Sequence, residues 1–207
     1  MAEIEPDVGW TLVPHPDSPR LSRGIRRCIP LGRRMIGILY RMASVPRANR
    51  EDLVAGVGSF VTGGRWNPPG VFHALYASLD ESTALEEARQ QNLRQGVPPW
   101  MALPLVLTAI EVDLEPVLDL VDGHTRRTLG VSRKRMLAES WWTEQELRRE
   151  ALTQAIGRLA RDLGFVGLLV PSAARASRAN MVIFPDRLAP PMRLAVLNAD
   201  RLPPRMH

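Results

Sequence analysis

Of the 27 lysines and arginines in this 207-residue chain, Lys134 is the only lysine. So complete a preference for arginine reflects biased codon usage as much as a selected surface. The formal net charge of +5 therefore does not by itself argue for nucleic acid. Acidic residues are missing from one long stretch: residues 18–50 carry nine arginines and neither Asp nor Glu. Such a stretch suits a phosphate backbone or an acidic partner. It lacks the interleaved aromatics of a single-strand binder, and no helix-turn-helix or zinc signature accompanies it. Cysteine is nearly absent too. A lone Cys28 excludes an internal disulfide, and with histidines scattered at 15, 73, 124 and 207 it leaves no metal-ligand set. No apolar run reaches the roughly 18 residues of a membrane span. The best, from Ala102 to Ile110, is interrupted by Pro104 and Thr108. The opening MAEIEPDVGW is acidic and lacks the basic-then-apolar order of a secretory signal. With the single cysteine, this gives the expectation of a soluble, cytoplasmic protein. Walker and dinucleotide-fingerprint glycine patterns and a GxSxG elbow are also lacking.

What is present suffices for one core. With 45% apolar and 24% charged residues, the length fits a single domain. Residues 1–34, rich in Arg and Pro, read as an extended leader with a candidate strand at GWTLVP, and the core as starting at residue 35. Buried strands are expected at MIGILYRMAS (35–44), VFHALYAS (71–78), LPLVLTAIEVDL (103–114), VLDL (117–120), FVGLLVPS and NMVIFP. The segment DESTALEEARQQNLRQG has a capping residue, early acids, later bases and a stop glycine, and so predicts a helix of about four turns. A basic helix is expected through SRKRMLAES. The clearest helix is expected through TEQELRREALTQAIGRLARDLG, with Leu147, Ala151, Ala155 and Leu159 on one face. Short strands with about three helices predict an α+β fold.

Five polar residues sit where apolar neighbours or a strand end are expected. Arg41 follows the apolar run IGILY, where a guanidinium drawn into the interior needs an anion. Arg65 lies in the loop GGRWNPPG, whose glycines let a ligand approach the backbone and whose guanidinium suits bidentate contact with phosphate. Tyr76 lies near the end of the strand after that loop. Glu86 and Glu87 are about 100° apart around the next helix, so only one faces inward. Glu87 shares a face with Ala84 and Ala88 and is the expected one. Ser172 follows Pro171, where a strand gives way to a loop. Taken singly, each also fits an ordinary structural role.

Taken together, LYRMAS (39–44), GVGSFVTGGRWNPPGVFHALYAS (56–78), TALEEA (83–88) and LLVPSAARASRANMVIFP (168–185) resemble the RES domain, a family named for its Arg, Glu and Ser. The resemblance spans roughly residues 35–190, which makes 35–207 the domain and 1–34 an extension. It implies a fold like that of ADP-ribosyltransferases, and a toxin that destroys NAD and is held by an antitoxin, typically of the Xre type. By motif, the family's arginines fall on Arg41 and Arg65, its Tyr on Tyr76, its Glu on Glu87 and its Ser on Ser172, with Asn180 also matching. The pair in LEEAR offers two glutamates where the pattern has one. On this reading NAD is substrate rather than resident cofactor. Arg41 and Arg65 hold its phosphates or ribose, Tyr76 caps the nicotinamide ribose, and Glu87 stabilises the ribosyl cation. Ser172 and Asn180 orient the reacting end, and Trp66 packs the loop. The acceptor stays open: water, inorganic phosphate or a protein side chain, the last making a protein ADP-ribosyltransferase. An inactive, Arg-rich protein that binds nucleic acid or a partner is the alternative of another class.

Overall fold

In the computed structural model, residues 12–203 are described, apart from 95, 99, 100, 102 and 176. The candidate strand at GWTLVP lies partly outside them. Within it Val13 makes one parallel bridge to Arg149. The segment read as an extended leader instead contains helix α1 (Ser18–Cys28). Leu21, Gly24, Ile25 and Cys28 form an i, i+3, i+4, i+7 stripe, all buried. That stripe is inconspicuous in sequence because one member is glycine and one cysteine. Gly24 is required, since a Cβ there would lie 2.8 Å from the Leu129 carbonyl oxygen.

The chain continues through β1 (Arg33–Ser44), α2 (Arg50–Ala55), α3 (Val57–Thr62), β2 (Leu75–Ser78), α4 (Glu81–Arg94), β3 (Leu105–Asp119), α5 (Gly123–Leu129), α6 (Arg133–Ala138), α7 (Trp141–Glu146), α8 (Leu152–Asp162), β4 (Gly167–Pro171), β5 (Ala179–Ile183) and β6 (Arg193–Val196). The α+β class holds, but eight α-helices among the described residues replace the three expected. Most of the extra ones are short and carry too few residues to display a period in sequence.

Three further expectations are corrected by tertiary contacts. β2 begins at Leu75 rather than Val71, because the Ala74 amide donates to Ser59 Oγ at 2.9 Å instead of entering the sheet. The two strands expected at 103–114 and 117–120 are one, with Val117 paired to Arg33 on one side and Gly167 on the other. The long helix expected over 143–164 is two, broken at Arg148, whose φ is 56°. There the backbone instead exchanges bonds with Val13: Val13 N–H donates to the Arg148 carbonyl, and Glu150 N–H to that of Val13, both at 2.9 Å. Leu147, assigned to the apolar face, is consequently exposed.

The strands close on themselves. β1 pairs β2 and β3, β2 pairs β5, β5 pairs β4, and β4 runs parallel to β3, whose outer edge also carries β6. Burial alternates along β3, with Thr108, Ile110, Val112 and Leu114 inward. Ile110, Val112 and Leu114 join Leu39, Leu75, Met181 and Ile183 in one apolar cluster. A second cluster fills the space between the sheet and α1, α5 and α8, around Leu21, Ile25, Phe72, Ile156, Phe165 and Phe184. No helix among the described residues is long and apolar enough to cross a membrane.

Candidate active site

The glycine-rich loop is a rigid hairpin. Gly63 leaves α3 with φ 71°, and Gly64 and Asn67 bridge across Arg65 and Trp66. Tyr76 Oη accepts from the Trp66 amide at 2.9 Å and donates to Asn67 Oδ1 at 2.8 Å. Burial raises the Tyr76 phenol well above its ordinary pKa, so it stays protonated and able to donate. From behind, Gln154 Nε2 of α8 donates to the Gly64 carbonyl at 3.1 Å and to Gln145 Oε1 at 3.0 Å. A side chain at Gly157 would put its Cβ 1.8 Å from the Trp66 carbonyl oxygen. The loop therefore presents Arg65 from a fixed frame while Trp66 is buried in the core.

The loop forms one wall of a cavity of about 350 Å³, lined also by Arg41, Tyr76, Glu87, Trp141 and Asn180. Arg41 Nη1 donates to the Tyr76 carbonyl at 3.1 Å, but its Nε is buried without a partner. Burial pulls this guanidinium down to about 10, so it remains cationic at neutral pH. Arg65 Nη1 meets only carbonyls, those of Met136 at 3.2 Å and Glu139 at 3.4 Å. Burial, and then the nearby charge of Arg94, lower its pKa, while Glu87 opposes the shift. Neither arginine forms an ion pair with a carboxylate among the described residues, although eleven such pairs occur elsewhere.

Opposite stands Glu87. Ser172 Oγ donates to its Oε1 at 2.7 Å, and Asn180 Nδ2 donates to the same oxygen at 2.5 Å. Both donors are themselves oriented. Ser172 Oγ accepts the amides of Ala174 and Arg175 at 3.1 and 3.0 Å, while Asn180 Oδ1 accepts from Ser78 Oγ at 2.8 Å. The carboxylate is thus clamped through one oxygen, and its Oε2 is left uncommitted. Its neighbour Glu86 is spent on the surface, bound by Arg89 at 3.0 and 2.8 Å and by Gln90 at 3.0 Å. The Arg89 bonds draw Glu86 down to about 2.

Five of the six residues singled out in sequence, Arg41, Arg65, Tyr76, Glu87 and Asn180, therefore line one cavity. Ser172 stands behind Glu87, with Oγ saturated by two amides and the carboxylate, an arrangement that suits positioning and not nucleophilic attack. Sequence reasoning missed Ser78, Gln91, Arg94, Trp141 and Trp142. Gln91 and Arg94 follow Glu87 at i+4 and i+7 on α4, a spacing that places them on its face, and the WW dipeptide was a visible signal.

Comparison with known proteins fits this geometry. The profile of the RES domain matches residues 38–203. NAD(+) phosphorylase MbcT of Mycobacterium tuberculosis H37Rv is 28% identical over 125 residues, 59% of this chain and 62% of MbcT. The chain thus spans about three fifths of that curated relative. A second protein of the same strain, named "Probable NAD(+) phosphorylase Rv3189", is 33% identical over 145 residues, 65% of each chain. Among solved structures, a chain of the M. tuberculosis MbcT–MbcA toxin–antitoxin complex superposes with a TM-score of 0.66 at 25% identity, covering 87% of this chain and 95% of that one.

Proposed function

The chain belongs to the RES domain family, and from that premise we propose that it consumes NAD, breaking the nicotinamide–ribose bond and passing the ribosyl carbon to inorganic phosphate. The observation that carries this reading is the cavity's charge arrangement. A carboxylate held through one oxygen shares the lining with two guanidiniums that have no ion pair with a carboxylate among the described residues. NAD supplies what each lacks: a pyrophosphate for Arg41 and Arg65, and a glycosidic carbon that becomes cationic for Glu87. The names of the two M. tuberculosis relatives support phosphate as the acceptor.

As the C–N bond breaks, its electron pair passes to the nicotinamide ring nitrogen, and nicotinamide leaves neutral. Positive charge grows on the ribose carbon and ring oxygen. Glu87 Oε2 stabilises that charge more in the transition state than in bound NAD, which is the condition for acceleration. A phosphate oxygen then bonds to the carbon, giving ADP-ribose 1-phosphate. Ser172 and Asn180 keep the carboxylate aimed. The Tyr76 ring caps the ribose while its hydroxyl holds the loop. The same reading makes the chain a toxin of the cytoplasm, restrained by an Xre-type antitoxin in a higher-order assembly and related in fold to ADP-ribosyltransferases. The complex in which the structural relative was crystallised supports a protein partner.

The test is NAD consumption by purified protein with and without phosphate, the products being separated by chromatography. Glu87→Gln keeps the shape and removes the charge, so turnover is expected to fall by about 100-fold or more, with nicotinamide release dependent on phosphate. Equal turnover in the variant would overturn the role of Glu87. Turnover in the absence of phosphate would make water the acceptor, and ADP-ribose retained on protein would make it a transferase.

A further inference from the structure

We propose that Trp141 and Trp142 are a stacking wall for the purine base of the dinucleotide, so that the cavity selects NAD over its mononucleotide half. The proposal rests on the NAD-cleaving reading above and extends it to the end of the substrate where no bond changes.

The cavity lining divides into chemically different parts. Glu87 and its partners come from α4, β2, β5 and the loop that follows β4. Along α4 the lining continues through Gln91 to Arg94, seven residues and about 10 Å beyond Glu87. Arg65 is within electrostatic reach of both Glu87 and Arg94. Its guanidinium donates to the carbonyls of Met136 and Glu139, so it rests against the chain just before Ser140, the N-cap of α7. Trp141 and Trp142 are the next two residues. The tryptophans therefore adjoin the guanidinium part of the cavity and contribute nothing to the Glu87 clamp. Carboxylate, guanidinium and indole follow the order ribosyl carbon, pyrophosphate and base in the substrate.

The pair is built to stay in place. The two rings meet edge to face, with centroids 5.6 Å apart and planes at 85°. Trp142 Nε1 donates to Glu146 Oε1 at 2.7 Å, one turn along the same helix. α7 is tied to the Arg65 loop through buried Gln145, which donates to the Thr62 carbonyl at 2.9 Å and accepts from Gln154. Yet Trp142 is 43% exposed. A large indole fixed by its polar atom and left open to the cavity has an unfilled aromatic face, and adenine is the uncharged aromatic ring of NAD, at the end where no bond changes, that fills one. Stacking reads a π-face and not a hydrogen-bonding edge, so other purine dinucleotides should be accepted almost as well.

The experiment compares wild type, Trp142→Ala and Trp142→Phe. It measures KM and kcat for NAD, KM or inhibition constant for nicotinamide mononucleotide, and quenching of indole fluorescence by ADP-ribose, with thermal melts as the control for folding. In Trp142→Ala, KM for NAD is expected to rise roughly ten- to hundredfold at unchanged kcat, the mononucleotide constant to stay put, and Phe to restore most of the loss. NAD and mononucleotide constants rising together would reduce Trp142 to a structural role and overturn the proposal, as would no change in either. If wild type turned over neither compound, the NAD-cleaving reading would fail. Quenching by ADP-ribose in wild type, lost in Trp142→Ala, would then still uphold the stacking wall, and its absence would overturn it.

Discussion

Arg158 and Arg41 are the same side chain in opposite circumstances. Arg158, on α8, binds Glu150 through two bonds of 2.6 and 2.8 Å, and the Glu150 side chain is 3% exposed. Arg41, on β1, is drawn into the cavity wall with one bond to a carbonyl and a buried Nε bonded to nothing. The first satisfies a buried charge within the protein, while the second leaves one without a carboxylate among the described residues. Glu86 and Glu87 repeat the contrast on α4: one is saturated by Arg89, the other keeps an oxygen free. Where a folded chain leaves charge incompletely paired at low exposure, stability is lower than it would otherwise be, and a ligand of opposite charge restores it.

This contrast is broken most severely at Arg158. Arg158→Ala would strand Glu150, which otherwise also accepts the His15 amide, and is expected to lower unfolding free energy by about 3 kcal/mol, read by denaturant titration, with turnover of the folded fraction unchanged. Arg41→Met should act the other way. It removes an uncompensated cation, so stability is expected to rise by about 1 kcal/mol while NAD turnover falls by roughly 100-fold. A melt lower than that of wild type would show that Arg41 is compensated in the free protein. The sign follows from its lowered pKa: the folded state disfavours the charged form, so the full penalty applies below about 10 and fades as pH rises through that value.

A subtler effect concerns Asp80 ahead of α4. Bonds from the Ser82 hydroxyl and then Thr83 draw this carboxyl down to about 2. Being depressed in the folded state, it contributes stability that is present at neutral pH and lost between about pH 4 and pH 2. Asp80→Asn should lessen the loss of stability over that window in a circular-dichroism titration, leaving the part due to Glu86 in place. The smallest effect is expected at Arg34. It pairs with Asp113 at 2.7 and 2.6 Å, but with side chains 55% and 30% exposed. Arg34→Ala should leave the denaturation midpoint where it is in wild type, and a clear shift would mean that exposure is a poor guide to pairing in this chain.

The candidate site was legible in good part because its residues lie in short local patterns. Glycines flank Arg65, alanines share the Glu87 face, and Arg41 ends an apolar run. What those patterns could not convey is what each polar atom meets. That Tyr76 holds the loop by its hydroxyl, or that Ser172 is saturated, depends on partners brought together by the sheet. The tryptophan pair escaped notice because it sits on a six-residue helix with no period to mark it.

By itself the sequence determined the strand at 35–44, helix α4 and the separation of its two glutamates, and the motif set that marks the family. These follow from alternation, helical spacing and capping, which act within a few residues. Tertiary structure decided that α1 joins the core, that the helical pattern of 143–164 breaks at Arg148, and that Glu87 is clamped through one oxygen. Each depends on contacts far apart in the chain: Gly24 against Leu129, Val13 with Arg149, Glu87 with Ser172 and Asn180. A local pattern states which backbone conformation is affordable, and only a distant partner decides whether buried polar groups are better satisfied by keeping it or by breaking it.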